Sequence, residues 1–180
     1  LKSIPKKMVV IGGGVIGLEM GSVWSRLGSE VTVVEFTDTI VPSMDAEVRR
    51  VFQRTLTKQG LKFKLKTKVC SAVVEGDEVK LTLEPAKGGD QESMEADVVL
   101  VATGRRPVTE GLNLEGAGVK LDDRGRIQVD DHFRTSVGSV YAIGDVIPGP
   151  MLAHKAEEDG VAAMEIIAGK VGHVNYNTVP

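Results

Sequence analysis

The sequence predicts an α/β fold in which an antiparallel β-meander is inserted into a parallel sheet. Two short apolar runs, 8–11 and 97–102, have the aliphatic composition of strands buried on both faces of a parallel sheet. A helical pattern and a second apolar strand follow the first run, which is the order of a β-α-β unit. Residues 68–96 instead alternate polar and apolar side chains around tight turns, as antiparallel strands do.

Three glycines with the spacing G-x-G-x-x-G follow the predicted strand Met8–Ile11: Gly12, Gly14 and Gly17. In such a turn the first glycine permits the tight bend, the second lets the backbone approach a pyrophosphate, and the third lets the helix pack close to the strand. The helix then offers free N–H groups and the positive end of its dipole to phosphates. This context predicts a dinucleotide site, and the alternative is a glycine-rich turn that binds nothing.

The helix after this turn is amphipathic and ends at Gly28. Five residues share its apolar face: Ile16, Met20, Val23, Trp24 and Leu27. The second strand, Glu30–Phe36, ends with an acid, Glu35, at the distance from the glycines where a carboxylate accepts hydrogen bonds from the adenosine ribose. A carboxylate there repels the 2′-phosphate of NADP, and residues 36–38 contain no arginine to receive it, so NAD(H) is preferred. The alternative for Glu35 is a solvated strand end.

The next segment predicts a helix, Ala46–Gln59, which begins at Asp45 as N-cap and ends before Gly60. Its apolar residues again share one face: Val48, Val51, Phe52 and Leu56. A half-exposed strand is predicted for 61–66, where lysines alternate with apolar residues. Residues 46–68 hold eight Lys or Arg and one acid, and we interpret them as a solvated face, the alternative being a site for an anionic partner.

The meander consists of strands Lys68–Glu75 and Glu78–Glu84, joined at Gly76-Asp77, and a third strand Glu92–Ala96. The chain then returns to the parallel sheet, and Gly104 follows the last strand at the edge where ligands bind in open α/β sheets.

After Pro107 the sequence predicts irregular structure with a turn at 122–125. A strand, Val140–Ile143, runs into Gly144-Asp145, and a helix, Leu152–Ala168, follows. Residues 171–180 are predicted to be irregular.

The net charge of −3 argues against a protein that binds nucleic acid or a membrane surface. No apolar run approaches the roughly 20 residues that span a bilayer, and the N-terminal residues do not resemble a signal peptide. The single cysteine, Cys70, excludes an internal disulfide and a multi-cysteine metal site, and we expect it to be a small buried residue in a strand. The sequence predicts no metal site.

Three motifs, 12–17, 103–107 and 141–145, together resemble the flavin-dependent pyridine-nucleotide disulfide oxidoreductases. The segments 142–146 and 149–156 resemble the dihydrolipoamide dehydrogenase branch of that family, in its plant mitochondrial form, and the resemblance covers essentially the whole chain. It implies a Rossmann-like NAD(H)-binding domain at 1–107. Residues 108–180 would be the central segment, an incomplete C-terminal part of the FAD-binding domain.

The resemblance also implies the cofactor-binding residues. The NAD pyrophosphate and nicotinamide end would lie against Gly12, Gly13, Gly14, Val15, Ile16, Gly17, Leu18 and Glu19. The adenosine ribose would bind Glu35, the adenine would contact Val69, and Gly104 would approach the cofactor from the opposite strand. Asp145 would bind the FAD ribityl chain, with a plain turn residue as the alternative. The flavin would contact the backbone at the start of the last helix, at Met151, Leu152, Ala153 and His154. Glu19 has a further alternative, which is simple complementarity to the helix dipole.

In this family the redox cysteines and the first FAD motif would precede Leu1, so we interpret Leu1 as a point where a longer chain was cut. The catalytic His-Glu pair and the dimer-interface domain would follow Pro180. Neither Cys70 nor any of the three histidines matches these groups, so we predict no catalytic residue and no activity for this chain alone. We also expect residues 108–180 to be poorly anchored without the rest of their domain.

The parent enzyme would oxidise dihydrolipoamide on a lipoyl-bearing protein of 2-oxoacid dehydrogenase or glycine cleavage complexes, as a homodimer in the mitochondrial matrix. Two alternatives stay open, namely another flavoprotein of the NADH oxidase or ferredoxin reductase type, and a stand-alone NAD-binding module.

Overall fold

The structure, a computed structural model, describes residues 1–178. The chain divides into two compact units, Leu1–Gly104 and Arg105–Pro180. The elements of the first unit are β1 (Lys7–Ile11), α1 (Val15–Arg26), β2 (Glu30–Val34), α2 (Ala46–Lys58), β3 (Lys62–Lys64), β4 (Thr67–Glu75), β5 (Glu78–Pro85), β6 (Glu92–Ala96) and β7 (Val98–Val101). In the second unit, the described residues form one α-helix, α3 (Ala153–Ile167), and two short 3-10 helices, Gly144–Val146 and Tyr176–Thr178. The predicted α/β class, with a parallel and an antiparallel sheet, is confirmed.

The parallel sheet has the strand order β3-β2-β1-β7. Ile11, at the end of β1, is level with Val34 of β2 and with Val101 of β7. The segments that follow these three strands therefore leave the sheet at the same edge, which is the edge where open α/β sheets bind ligands. The central strands are buried on both faces, as their aliphatic composition predicted, and Val10, Val31 and Val33 have no exposed surface.

The meander forms a second, antiparallel sheet in the order β4-β5-β6. Its predicted hairpin is confirmed, since Glu75 pairs with Glu78 and Gly76 adopts φ 66 in the turn. Leu81 and Leu83 of this sheet are fully buried and cluster with Val9 and Val34 of the parallel sheet. Several lysines of the predicted basic face pair with acids at the surface, for example Lys62 with Glu30 at 2.7 Å.

Helix α1 differs from the prediction in the face that it buries. Its predicted apolar stripe is mostly exposed, with Ile16, Met20, Val23 and Leu27 between 38% and 51% exposed, and only Trp24 packs partly against the core. The buried residues are Gly17, Leu18 and Gly21. A Cβ on Gly21 would lie 3.4 Å from the Val31 side chain, so the helix backbone approaches the sheet too closely for large side chains there. The face of α1 that is buried is therefore the face where the helix backbone packs close to the sheet.

The N-cap of α2 is confirmed. The Asp45 carboxylate accepts hydrogen bonds from the backbone N–H of Glu47 at 2.8 Å and of Val48 at 3.3 Å. These bonds stabilise the ionised form and hold the pKa of Asp45 below its usual value. Of the four apolar residues predicted to share one face, Leu56 alone is buried, while Val48, Val51 and Phe52 are exposed.

The expectation for Cys70 was also wrong. Cys70 does lie in a strand, β4, but it is exposed. Val69, the residue before it, packs against the buried cluster between the sheets. The pairing of β4 with β5 shifts register between Val69 and Ser71, so Cys70 lies unpaired at a β-bulge, where the alternation that sequence reasoning relies on is interrupted.

The second unit has its own core, formed by buried apolar side chains: Val119, Ile127, Phe133, Ala142, Ile147, Ala162 and Ala163. The predicted strand Val140–Ile143 was wrong, because Tyr141 makes only an isolated bridge with Arg134. Turns interrupt the chain at short intervals, so the pairing between its segments is limited to isolated β-bridges in the described part of this unit. The turn at 122–125 is confirmed by the bond from Gly125 N–H to the Asp122 carbonyl at 2.9 Å.

Helix α3 lies where the sequence predicted it. Of the irregular segment predicted for 171–180, residues 176–178 form a 3-10 helix and 179–180 lie outside the described residues. Within residues 1–178, no helix is long and apolar enough to cross a membrane.

Candidate functional site

The glycine turn after β1 is packed so that two of its glycines accept no side chain. Gly12 adopts φ 108, and a Cβ there would lie 2.5 Å from the Ala102 carbonyl oxygen after β7. A Cβ on Gly17 would collide with the Gly12 carbonyl oxygen and lie 3.1 Å from the Val10 side chain. Both glycines are therefore required by packing within the unit, whether or not a ligand binds.

Gly14 is different, because a Cβ there would meet no atom within 4 Å. Gly14 is the N-cap of α1, with φ −75 and ψ 177, and no side chain caps this helix. The first intrahelical bond runs from Leu18 N–H to the Gly14 carbonyl at 3.1 Å, so the N–H groups of the first turn have no helical partner. Open space in front of uncapped N–H groups at a helix N-terminus suits a phosphate.

The Glu35 side chain turns towards the glycine turn. Its Oε2 accepts a hydrogen bond from Gly13 N–H at 2.6 Å. Its Oε1 accepts from Thr37 N–H at 2.8 Å and from the Thr37 hydroxyl at 2.9 Å. An ionised carboxylate has about four acceptor sites, so these three bonds leave one on Oε2 beside the turn. Glu35 is half-buried and immediately follows β2, which brings it level with Gly12.

Val41 is a part of this site that sequence reasoning missed. Its N–H donates to the Gly13 carbonyl at 2.9 Å, so Gly13 is held on one side by Glu35 and on the other by Val41. Val41 is buried and adopts φ 37, which is strained for a β-branched residue. No sequence signal predicts this, because valine is among the residues least expected at a positive φ.

The other residues predicted for the NAD site lie around the same edge. Gly104 adopts φ 118 with open space at its Cα, and it follows β7 beside the Gly12 turn. Glu19 and Val15 are exposed on the first turns of α1. Val69 is half-buried in β4, a strand whose start is bonded to the Glu35 carbonyl through Thr67 N–H at 3.0 Å.

The residues predicted for the FAD site lie in the second unit. Asp145 follows Gly144 in a short 3-10 helix, and its partly exposed carboxylate lies 3.7 Å from the Arg105 guanidinium. Leu152 is the N-cap of α3 and no side chain caps that helix, so its first N–H groups are available to an acceptor. Among the predicted contacts there, Ala153 and His154 are exposed, and Met151 and Leu152 are half-buried.

A buried charged cluster beneath Asp145 was not predicted. Lys155 and Asp159 form an ion pair at 2.7 Å with side chains that are 1% and 0% exposed. The Tyr176 hydroxyl donates to Asp159 Oδ1 at 2.8 Å. Burial of Tyr176 is the larger cause, and its hydrogen bond to Asp159 the smaller, of a pKa raised to about 12. The sequence did contain a signal, because opposite charges four residues apart continue the stripe of α3 that buries Ala162 and Ala163.

Within residues 1–178, no group of three or more His, Cys, Asp or Glu is arranged to hold a metal ion. Residues 1–160 match the family described as pyridine nucleotide-disulphide oxidoreductase. The chain belongs to this family.

Relatives within the pyridine nucleotide-disulphide oxidoreductases confirm the resemblance seen in the sequence. The chain is 68% identical over its whole length to the mitochondrial dihydrolipoyl dehydrogenase of Pisum sativum, of which it covers 36%. It is 67% identical over its whole length to a leghemoglobin reductase of Glycine max, of which it covers 34%. The chain thus spans about a third of the length of these relatives. The name of the pea protein agrees with the predicted mitochondrial location.

A solved structure of the family shares the fold. The crystal structure of LpdA from Mycobacterium tuberculosis matches with a TM-score of 0.88 at 30% identity, over 99% of this chain and 38% of that one.

Proposed function

We propose that this chain supplies the NAD(H) site and part of the FAD site of a dihydrolipoyl dehydrogenase. The whole enzyme would oxidise the dithiol of protein-bound dihydrolipoamide to a disulfide and reduce NAD⁺ to NADH. The identity of 68% to the pea enzyme supports the activity. The observation that carries the NAD(H) assignment is the Glu35 carboxylate, bonded to Gly13 N–H at 2.6 Å beside an open glycine turn.

The predicted NAD(H)-site residues of the first unit each have a defined role in this proposal. The N–H groups at the start of α1 receive the pyrophosphate, and Gly14 leaves room for it. The free acceptor site of Glu35 binds a ribose hydroxyl, and the second ribose bond replaces the Thr37 hydroxyl on Oε1. Val69 contacts the adenine, Gly104 lies against the cofactor, and Glu19 and Val15 border the nicotinamide. When bound, the nicotinamide and the flavin supply the hydride and electron transfer.

In the second unit, we assign Asp145 to the FAD ribityl chain and the first N–H groups of α3 to the flavin ring. A helix N-terminus carries a partial positive charge, so it stabilises negative charge on a reduced flavin. Met151, Leu152, Ala153 and His154 contribute through their backbone, and none of them is assigned a catalytic proton.

The proposal includes the surroundings of the parent enzyme. Its substrate is a lipoyl group carried by a protein of a 2-oxoacid dehydrogenase or glycine cleavage complex, and it works as a homodimer in the mitochondrial matrix. The chain contains one cysteine, so it cannot form a redox disulfide within itself. We therefore expect no dihydrolipoamide-dependent reduction of NAD⁺ by this chain alone.

Calorimetry of the chain with NADH and with NADPH tests the proposal. NADH should bind at least about tenfold more tightly, because the 2′-phosphate of NADPH would lie against the Glu35 carboxylate. Tighter binding of NADPH, or no binding of either nucleotide, would overturn the assignment. Titration with FAD, followed by flavin fluorescence, tests the second unit separately.

A further inference from the structure

The buried pair of the second unit contacts the backbone of the Gly144-Asp145 turn directly. Asp159 Oδ2 accepts a hydrogen bond from Gly144 N–H at 3.0 Å, and Lys155 Nζ donates to the Gly144 carbonyl at 3.2 Å. The N–H belongs to the peptide group before Gly144 and the carbonyl to the one after it. The two side chains therefore fix both peptide planes that precede Asp145.

We propose that Lys155 and Asp159 are positioning residues that hold the Gly144 backbone and so direct the Asp145 carboxylate at the FAD ribityl chain. This inference rests on the proposed role of Asp145 in binding FAD. Asp145 has little of its own to orient it, because its carboxylate is 44% exposed and its cationic partner, Arg105, is 3.7 Å away. An exposed pair at that distance contributes little.

The surroundings of the pair show that it is built to fit Gly144. Gly144 adopts φ 74, and a Cβ there would lie 3.2 Å from the Ala156 side chain. A Cβ on Gly149 would lie 3.2 Å from Lys155 Cε, so the absence of a side chain at Gly149 makes room for the lysine side chain. The remaining oxygen of Asp159 is occupied by the Tyr176 hydroxyl at 2.8 Å. The buried carboxylate is thus bonded on both oxygens, as a buried charge requires.

The pair also links two parts of the proposed FAD site. Lys155 and Asp159 lie in the first two turns of α3, the helix whose N-terminal N–H groups are assigned to the flavin ring. Their bonds to Gly144 make the Asp145 turn and the start of α3 one rigid arrangement. A cofactor that contacts both would bind without the cost of ordering one against the other.

The decisive variant is Lys155→Met with Asp159→Leu, made in the 180-residue chain. Removing one partner of a buried ion pair leaves an uncompensated charge, whereas apolar residues of similar shape in both positions keep such a fold stable. The double variant should fold but unfold at a lower temperature than the native chain, because the Gly144 peptide groups and the Tyr176 hydroxyl lose their partners. The amide exchange of Gly144 and Asp145 should become at least about tenfold faster, because both backbone bonds are lost. FAD should bind about tenfold more weakly while NADH affinity stays unchanged.

The matched control is Glu158→Gln, which removes an exposed charge adjacent to Asp159 and should leave every reading at the native value. Should the double variant not fold, Lys155→Met with Asp159→Asn keeps an acceptor for Gly144 N–H and should show an intermediate loss of FAD affinity. Native exchange rates and native FAD affinity in a folded variant of either kind would overturn the inference. Absence of FAD binding by the native chain refutes the proposed role of Asp145, and amide exchange at 144 and 145 still decides whether the pair orders the turn.

Discussion

The Glu35 carboxylate serves two purposes that share its acceptor sites. It holds the glycine turn through Gly13 N–H, and it holds its own loop through Thr37. Only one acceptor site stays free beside the turn. In the proposed complex a second ribose bond would take the place of the Thr37 hydroxyl, whose oxygen also lies 2.8 Å from the Thr39 carbonyl oxygen and so has another acceptor. Glu35 therefore shapes the glycine turn and its own loop, and we propose that the same carboxylate selects the cofactor.

Replacing Glu35 by Gln tests this role. The amide keeps one oxygen but loses the charge and half of the acceptor sites, so NADH should bind about tenfold more weakly. The margin between NADH and NADPH should also shrink, because the repulsion of the 2′-phosphate is gone. Calorimetry with both nucleotides measures these changes. Asp38→Asn, a nearby exposed acid, is the control and should alter neither affinity. A margin that stays at its native value in Glu35→Gln would contradict the role.

At the scale of the element, the glycines of the turn between β1 and α1 have different surroundings. Gly12 and Gly17 are held by contacts inside the unit, whereas Gly14 faces open space. The sequence motif does not distinguish these cases, since each position is simply a glycine. The distances to neighbouring backbone atoms make the distinction.

Two alanine substitutions separate the roles. Gly17→Ala should lower the free energy of unfolding by about 1–3 kcal/mol, because its Cβ overpacks the Gly12 carbonyl and Val10. Gly14→Ala should leave the free energy of unfolding near native, since alanine adopts φ −75 without strain. It should weaken the binding of NADH by about tenfold or more, because its methyl group fills the approach to the N–H groups. Denaturant unfolding and calorimetry on both variants measure this. Equal losses of stability, or native NADH affinity in Gly14→Ala, would argue against the division.

At the scale of the whole molecule, the two units are stabilised differently. In the first, β1 is hydrogen-bonded along both of its edges within a four-stranded sheet. In the second, isolated bridges and turn bonds surround an apolar core. Helix α3 also leaves Val161, Met164 and Ile167 at least 50% exposed. Backbone that is held by isolated bonds opens more readily than a central strand.

Hydrogen exchange should show this difference directly. We expect the amides of 8–11 to exchange far more slowly than those of 140–143, with both segments followed in the same sample by mass spectrometry. The central strand sets the reference, so no separate control is required. Equal protection of the two segments would refute the expectation that residues 108–180 are weakly anchored.

Local patterns in the sequence were sufficient for most of the architecture. Four local features depend only on neighbouring residues: the aliphatic composition of the buried strands, the glycine spacing, the Asp45 cap and the Gly76 hairpin. The structure confirms the elements that they predicted. The family also followed from motifs alone.

Tertiary structure decided which faces are buried and which side chains act together. In α1 the buried face consists of Gly17, Leu18 and Gly21, and most of the predicted apolar stripe is exposed. Sequence periodicity does not contain the distance between helix and sheet, which decides where only a glycine fits. The strained Val41 and the pair Lys155–Asp159 depend on contacts across the chain, with Gly13 and with Gly144. The sequence by itself determined most of the elements and the position of the glycine turn, because these depend on neighbouring residues. Only the folded chain determined which side chains hold each turn in shape, because those contacts join residues that are distant in the sequence.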